Sequence, residues 1–225
     1  MNTSPLRIAV KSPEYLPGLS FVALMQAVDV FVLADTFQYS RQSFQNRTRI
    51  RTPQGWHWIS VPLAGRQHGR PVVETEIDNR THWQSKHLRS IGFNYSQTAY
   101  YPFIEEEMKR LFDNRWELLG DLTCQSVSIV HEIFQMKCRL LRASSLDGCP
   151  DSLEKILEVI PATELLTDGM WPDLQDIEVP VGVVHFTEPA YRQHFEGFEP
   201  GISALDIVCN YGPEASGIIA GGVIR

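Results

Sequence analysis

Residues 6–34, with the sequence LRIAVKSPEYLPGLSFVALMQAVDVFVLA, decide the fold. Leu6–Val10 is a short apolar run with β-branched members, which predicts a buried strand. Ser12–Gly18 holds two prolines and a glycine, so we expect a rigid loop there. Leu19–Val28 predicts a short helix and Asp29–Ala34 a second buried strand. This order of strand, loop, helix and strand is typical of an α/β sheet.

The next segments predict a hairpin and then a run of helices. Arg49–Thr52 and Trp56–Leu63 flank a Pro-Gln-Gly turn, and Pro71–Ile77 is a further strand candidate. From Trp83 the hydrophobic period becomes helical, which predicts a central helical block at about 83–160.

The C-terminal third returns to strand and helix. Val181–Phe186 predicts a strand, and Ser203–Asn210 predicts a short helix with Ser203 as its N-cap. Gly217–Ile224 is either a last strand or a docked tail. We therefore predict one α/β domain over residues 1–225. Its mixed sheet opens with the strand–loop–helix–strand unit, and a β-hairpin and the helical block complete it.

The charge distribution is uneven. The chain has 225 residues with 20 basic and 27 acidic side chains, a net charge of −7. Residues 36–73 contain six arginines and no Asp or Glu, so the remainder has 14 basic and 27 acidic residues and a net charge of −13. Such a balance excludes a general nucleic-acid coat and favours a small anionic metabolite, although a solvated basic face would give the same pattern. Arginine favours forked contacts to phosphate or carboxylate.

Several classes of site lack their sequence signature. The four cysteines form no C-x-x-C, the seven histidines do not cluster at ligand spacing, and neither a phosphate-binding glycine loop nor a hydrolase elbow occurs. We predict no metal site, and the sequence leaves the cofactor open. The N-terminus lacks the apolar core of a signal peptide, and no apolar run could span a bilayer. The expected location is therefore cytoplasmic.

Polar residues cluster at the predicted strand and loop ends, where α/β proteins usually bind ligands. Asp35 follows the second strand and is a candidate base, with a turn cap as the alternative. Gln38 is a candidate ligand-reading amide, and Arg47 is the first candidate for an anion clamp. The Tyr191–Asp206 segment is a further candidate, with a capped helix packed by aromatic side chains as its alternative.

The ordered motifs resemble the WbqC-like protein family across nearly the whole chain. The matching stretches are Ser12-Pro-Glu-Tyr-Leu-Pro17, Asp29-Val-Phe-Val32, Asp35-Thr-Phe-Gln-Tyr39, Gln45-Asn-Arg47, Gly55-Trp-His-Trp-Ile-Ser-Val-Pro62, Trp83-Gln-Ser-Lys-His87, Tyr95, Pro189-Ala-Tyr-Arg-Gln193, Phe198 and Ser203-Ala-Leu-Asp206. Ser12, Glu14 and Gly18 depart from the family pattern, which has Gln, Asn and an aromatic residue there.

The resemblance implies acyl or aminoacyl transfer, with glycine as the proposed group, to an activated amino-sugar in surface-polysaccharide (O-antigen) biosynthesis. The partner would be a nucleotide-sugar or an acyl donor. Under this hypothesis the catalytic candidates are Asp35, His87 and Asp206. The ligand-binding candidates are Tyr15, Gln38, Tyr39, Gln45, Asn46, Arg47, Arg49, Lys86, Tyr95, Tyr191 and Gln193. The alternative is a non-catalytic accessory protein that binds the same anion, and the departures at Ser12, Glu14 and Gly18 motivate it. The oligomeric state stays open.

Overall fold

The computed structural model describes residues 6–169, 171, 174 and 177–224. Residues 1–5, which carry part of the argument against a signal peptide, lie outside this range. The strands are β1 (Arg7–Lys11), β2 (Val30–Leu33), β3 (Arg47–Thr52), β4 (Gly55–Ser60), β5 (Arg139–Arg142), β6 (Glu164–Thr167), β7 (Val181–Val183), β8 (His185–Phe186) and β9 (Val223–Ile224). The helices are α1 (Leu19–Ala27), α2 (Trp83–Tyr95), α3 (Tyr101–Asp113), α4 (Leu119–Ile133), α5 (Leu153–Val159), α6 (Leu205–Tyr211) and α7 (Ala215–Gly221).

The first β-α-β unit forms as the sequence predicts. Strands β1 and β2 pair in parallel, and Ile8 lies opposite Val30. The sheet continues to both sides in the order β5-β2-β1-β6-β7, and each of its pairings is parallel. Antiparallel pairing occurs in the separate hairpin β3–β4 and in β8–β9. The α/β class with a β-hairpin is confirmed, and the sheet that contains β1 and β2 is parallel rather than mixed.

Helices cover both faces of the parallel sheet. Ala9, Phe31 and Leu33 belong to the larger core, which α1 and α4 complete. Ile8 and Val32 belong to a second core, completed by α5. This burial on both faces explains why β2 is an unbroken apolar run rather than an alternating one.

Several segments differ from their predicted structure. The predicted strand Val181–Phe186 is divided into β7 and β8, which belong to different sheets. The predicted helical block contains α2 to α5 but also β5, an edge strand of four residues that is too short to show a period. Pro71–Ile77 forms a 3₁₀ turn at Val72–Glu74 instead of a strand, because the Thr75 hydroxyl and backbone both fold back onto this turn. Helix α6 begins at Leu205 with Ala204 as its N-cap, so the predicted start with Ser203 as the N-cap is wrong by one residue, although the Ser203 hydroxyl still accepts from the Leu205 N–H at 3.3 Å.

The C-terminal segment combines two structures. Helix α7 occupies Ala215–Gly221, and β9 then pairs with β8. The tail is therefore docked through a helix and a two-residue strand. In the part of the chain that the structure describes, no helix has the length and apolar character needed to cross a membrane.

The loop Ser12–Gly18 is buried at its centre, and Tyr15 and Leu16 are fully inaccessible. Buried backbone groups require hydrogen-bond partners, and here they come from distant elements. The Tyr15 N–H donates to the Phe44 carbonyl at 2.9 Å, and the Leu16 N–H donates to Ser126 Oγ on α4 at 2.7 Å.

The backbone carbonyl groups of the same loop also have hydrogen-bond partners in distant elements. The Thr48 hydroxyl of β3 donates to the Leu16 carbonyl at 3.0 Å, and the Ala204 N–H donates to the Pro17 carbonyl at 2.8 Å. The loop therefore joins the sheet to the hairpin, to α4 and to the start of α6.

Replacing Ser126 with Ala tests this role of the loop. The substitution leaves the buried Leu16 N–H without an acceptor, which is expected to lower the free energy of unfolding by about 1–3 kcal/mol. Urea unfolding followed by circular dichroism measures it. Ser128→Ala on the same helix is the control, because Ser128 Oγ only bonds back to the Cys124 carbonyl at 3.0 Å. Equal losses in the two variants would contradict the assignment.

Candidate functional site

Four neighbouring strands of the parallel sheet carry a charged residue at their carboxyl ends. Arg142 ends β5, Asp35 follows β2 by two positions, Lys11 ends β1, and Asp168 directly follows β6. Along the sheet edge the charges therefore alternate in sign. Open α/β sheets usually bind ligands at this edge.

Asp35 is a fully buried carboxylate, and neighbouring hydrogen-bond donors stabilise its charge. Its oxygens accept from Arg142 Nε at 2.9 Å, from the Ser144 N–H at 2.9 Å and from Ser144 Oγ at 2.6 Å. Arg142 also reaches Asp121 on α4 at 2.9 Å. Asp35 thus ties β2 to β5 and to the following turn, and its catalytic role stays a prediction.

Lys11, Glu14 and Asp168 form a second charged group on this edge. Lys11 Nζ contacts the Asp168 carboxylate and lies 3.5 Å from Glu14 Oε1. Burial opposes the charge on Lys11, but the two carboxylates outweigh it and raise its pKa. Burial also raises the pKa of Glu14, against the opposing effect of Lys11. In the sheet, β1 is followed by β2 on one side, and β6 is followed by β7 on the other side. The group therefore lies at the point where the strand order reverses, which is where open α/β sheets usually form a ligand crevice.

A cleft of about 550 Å³ lies between the segments 39–46 and 61–68. We call it the arginine cleft, because Arg41 and Arg66 line it together with Tyr39 and Asn46. Tyr39 Oη donates to Asn46 Oδ1 at 3.0 Å, and Asn46 Nδ2 donates to the Val61 carbonyl at 3.0 Å. These bonds hold the two walls of the cleft together.

The electrostatics of the arginine cleft are one-sided. Burial raises the pKa of Tyr39, while the guanidinium groups of Arg41 and Arg47 lower it. Neither Arg41 nor Arg66 has an acidic partner within residues 6–169, 171, 174 and 177–224. Both arginines are solvent-exposed, and neither has a carboxylate within 4.0 Å among the described residues.

Two glutamine candidates lie in the chain segments that lead to this cleft. Gln38 is exposed, and its backbone bridges to Pro71. Gln45 is buried, and its side-chain oxygen accepts from the Ser40 N–H at 2.8 Å, which shapes the 40–45 loop.

The face of the hairpin that we call outer carries alternating arginine and tryptophan side chains, and the 193–201 segment covers the end of it that holds Arg51. Arg49 lies opposite Trp58 in the register, so Arg47, Arg49, Trp56 and Trp58 share one face. The Arg47 Cζ lies 4.1 Å from the Trp58 ring centre, and the Arg49 Cζ lies 4.3 Å from that of Trp56. We call these four residues the arginine–tryptophan ladder.

Arg51 and Gln193 form a buried structural pair. Arg51 Nε donates to Gln193 Oε1 at 2.8 Å, and its other nitrogens donate to the carbonyls of Thr52, Gly55 and Glu196. The Gln193 amide donates to the Glu199 carbonyl at 2.9 Å, so both groups hold the 193–199 loop against β3.

Tyr15 and His87 form a closed pair in the core. Tyr15 Oη lies 2.8 Å from His87 Nδ1, and Trp83 and Phe112 surround the imidazole. Burial lowers the pKa of His87 to about 4, so the ring is neutral at pH 7. Lys86, the preceding residue on α2, is exposed and lines a different cleft beside Phe93.

Asp206, Tyr191 and Tyr95 form another buried group. Tyr191 Oη donates to Asp206 Oδ2 at 2.9 Å, and Tyr95 Oη accepts the Arg51 N–H at 2.9 Å. Burial raises the pKa of Asp206 to about 6, although the hydroxyls of Tyr191 and Tyr95 favour the carboxylate. The three side chains are all buried.

The structure therefore divides the predicted residues among several places. It brings Tyr39 and Asn46 together with Arg47 nearby, joins Arg47 to Arg49 on the ladder, and joins Tyr95, Tyr191 and Asp206. It leaves Asp35 at the sheet edge and His87 in the core. Within the described ranges no group of three or more His, Cys, Asp or Glu side chains is arranged to hold a metal ion.

Sequence reasoning did not select several residues that the structure makes prominent. Arg41 and Arg66 lie in the basic stretch without belonging to a motif, and Lys11 and Asp168 lie outside the matched motifs. A usable signal existed for Lys11, since a charged residue directly after a buried parallel strand points to the carboxyl edge.

The sequence profile described as the WbqC-like protein family matches residues 12–218. The chain belongs to the WbqC-like protein family. The uncharacterized protein Rv1507c of Mycobacterium tuberculosis (strain ATCC 25618 / H37Rv) is 29% identical over 222 residues, covering 93% of this chain and 95% of that relative. The family match contains the arginine cleft and the ladder of this WbqC-like protein, and it begins one residue after Lys11.

The buried His87 predicts a pH dependence of stability. Its folded pKa of about 4 lies below the ordinary 6.5, so protonation favours the unfolded chain. The stabilisation is present above pH 6.5 and is lost as the pH falls towards 4, by about 3 kcal/mol.

The comparison of wild type with His87→Gln isolates this contribution. The difference between their free energies of unfolding should shrink by about 3 kcal/mol from pH 7 to pH 4. Asp206 titrates in the same window with the opposite sign, but it is present in both proteins and cancels. A difference that stays constant with pH would contradict a buried, neutral His87.

Proposed function

We propose that this WbqC-like protein binds a small phosphorylated metabolite in the arginine cleft, with nucleotide-sugars as the ligand class. The observation that carries the proposal is the pair Arg41 and Arg66, which face one cleft without an acidic partner among the described residues. In a chain with 27 acidic residues, two such unpaired cations in one cleft favour an external anion as their partner.

The size and the other polar groups support this ligand class. A volume of about 550 Å³ is in the usual range of small-molecule sites, roughly 300–1,000 Å³. Guanidinium groups suit the phosphates, and the Tyr39 Oη and Asn46 Oδ1 atoms can each accept one further hydrogen bond, which suits the hydroxyl groups of a sugar. The net charge of −13 outside residues 36–73 would repel a long nucleic acid.

Acyl or aminoacyl transfer to the amine of an activated amino-sugar is the second candidate, which the family resemblance implies. The short chain segment between Asp35 and Tyr39 favours this candidate, because it connects the sheet edge to the cleft. Asp35 lies at the sheet edge and Tyr39 lines the cleft, and four residues span at most about 14 Å. A ligand held in the cleft could therefore extend to the carboxyl edge.

Glu14 stands where the family pattern has Asn, so a role as the base would be particular to this chain. Its pKa is raised by burial and its side chain is 15% exposed, so it combines basicity with access. In the proposed step the amine nitrogen attacks the acyl carbonyl, the donor's leaving group departs with the bonding electron pair, and Glu14 takes the amine proton.

Paired charge-removal variants test the binding proposal. Arg41→Ala/Arg66→Ala should weaken the binding of inorganic pyrophosphate, measured by calorimetry at low salt, by at least about tenfold, since charged hydrogen bonds contribute about 1.5–3 kcal/mol each. Arg110→Ala/Arg115→Ala removes the same formal charge from exposed residues that pair with Glu107 and Glu117. Similar affinities in the two double variants would reject the cleft as the anion site.

The transfer step has a separate test. Purified protein is incubated with nucleotide-amino-sugars and acyl or glycyl donors, and products are identified by mass spectrometry. Glu14→Gln should lower the turnover by about 100-fold or more while pyrophosphate binding is unchanged. Full turnover in Glu14→Gln would remove Glu14 as the base. Binding without any product would favour the non-catalytic accessory protein.

A further inference from the structure

We propose that the arginine–tryptophan ladder is a stacking platform for the planar base of a nucleotide. The inference rests on the proposed function, because it adds a base-binding surface to a site for a phosphorylated metabolite. It assigns the ligand class through Trp56 and Trp58, which the sequence analysis did not select.

The first observation is the regular stacking on the outer face of the hairpin. Trp58 lies between two guanidinium groups, with Arg47 Cζ at 4.1 Å and Arg49 Cζ at 4.8 Å from its ring centre. Arg49 extends the stack to Trp56 at 4.3 Å, and Trp56 is 39% exposed. The ladder therefore ends in an aromatic ring that solvent reaches.

The second observation is that the ladder arginines have unused donors. The Nε atoms of Arg47 and Arg49 are buried, and no described residue accepts from them. The Arg47 side chain has one acceptor, the Gln42 carbonyl, and the Arg49 side chain has none among the described residues. The Nη atoms of Arg49 have no acceptor among the described residues and are not buried, so a phosphate bound over the ladder would accept hydrogen bonds from them.

A purely structural role explains the ladder less well. The opposite face of the hairpin already anchors it, since Thr48, Ile50 and Ile59 are buried in the core. The ladder arginines differ in this from Arg70 of the same basic stretch, which pairs with Glu76 at 2.7 Å. Neither ladder arginine has a carboxylate within 4.0 Å in the described parts of the chain.

The ladder also continues from the arginine cleft. Arg47 directly follows Asn46, which lines the cleft, and Arg47 and Arg41 both influence Tyr39. Trp56 lies opposite Arg51, four strand residues from Arg47, which corresponds to about 13 Å. This spacing suits a nucleotide whose phosphates lie near Arg47 and Arg41 and whose base stacks on Trp56.

Two probes with the same phosphate group separate stacking from anion binding. The affinities of AMP and ribose 5-phosphate are measured by calorimetry, and tryptophan fluorescence is recorded with each. Wild type should bind AMP roughly 5- to 150-fold more tightly than ribose 5-phosphate, the range expected for one stacked base, and AMP alone should quench the fluorescence.

Variants of Trp56 test whether stacking on this ring causes the preference for AMP. Trp56→Ala should bring the AMP affinity down to that of ribose 5-phosphate, whereas Trp56→Phe should retain the preference for AMP because the ring is kept. Trp116→Phe is the control, since its indole donates to the Leu111 carbonyl away from the hairpin. Far-ultraviolet circular dichroism checks that each variant is folded.

The outcomes distinguish the platform from the cleft. Equal affinities of wild type for the two probes, or an AMP preference that survives in Trp56→Ala, would overturn the platform. If the arginine cleft is not the phosphate site, the Arg41→Ala/Arg66→Ala variant should bind ribose 5-phosphate as tightly as wild type does.

Discussion

The buried loop Ser12–Gly18 is the constraint on which the rest of the structure depends. Its backbone cannot reach water at Tyr15 and Leu16, so it takes its partners from Phe44, Thr48 and Ser126. The same bonds position the site. The Tyr15–Phe44 bond holds the end of the 40–45 loop, where the Phe44 ring packs 5.4 Å from Trp58, and the Thr48 bond holds β3. The geometry of the cleft and the ladder thus follows from the packing of a loop that belongs to the sheet.

The parts of the fold that the sequence predicts well are those in which local pattern and environment agree. The unit from β1 to β2, the hairpin and α2 follow directly from apolar runs, a Pro-Gln-Gly turn and a helical period. Strand β5 was not predictable in this way, because four residues, Arg-Leu-Leu-Arg, show no distinctive period. Its pairing with β2 is stabilised by the Arg142–Asp35 contact, which joins residues 107 positions apart.

The site was predictable in composition but not in arrangement. The arginine-rich stretch pointed to an anion, yet the six arginines play different parts. Arg51 is buried against backbone carbonyls and Gln193, Arg70 pairs with Glu76, and Arg41, Arg47, Arg49 and Arg66 remain without acidic partners among the described residues. These distinctions depend on partners that lie far away in sequence, such as the 142 positions between Arg51 and Gln193. Likewise, the burial that leaves His87 neutral comes from the packing of α2 against its neighbours.

Membership of the WbqC-like family and an arginine-lined cleft lead to one central claim, that unpaired arginines around the hairpin receive a phosphorylated ligand. A crystal structure of the protein grown with a nucleoside diphosphate tests this claim most directly. The account predicts phosphate density within hydrogen-bond distance of Arg41 or Arg66, with the base over Trp56. Phosphate density at the Lys11–Asp168 edge with an empty arginine cleft would contradict it.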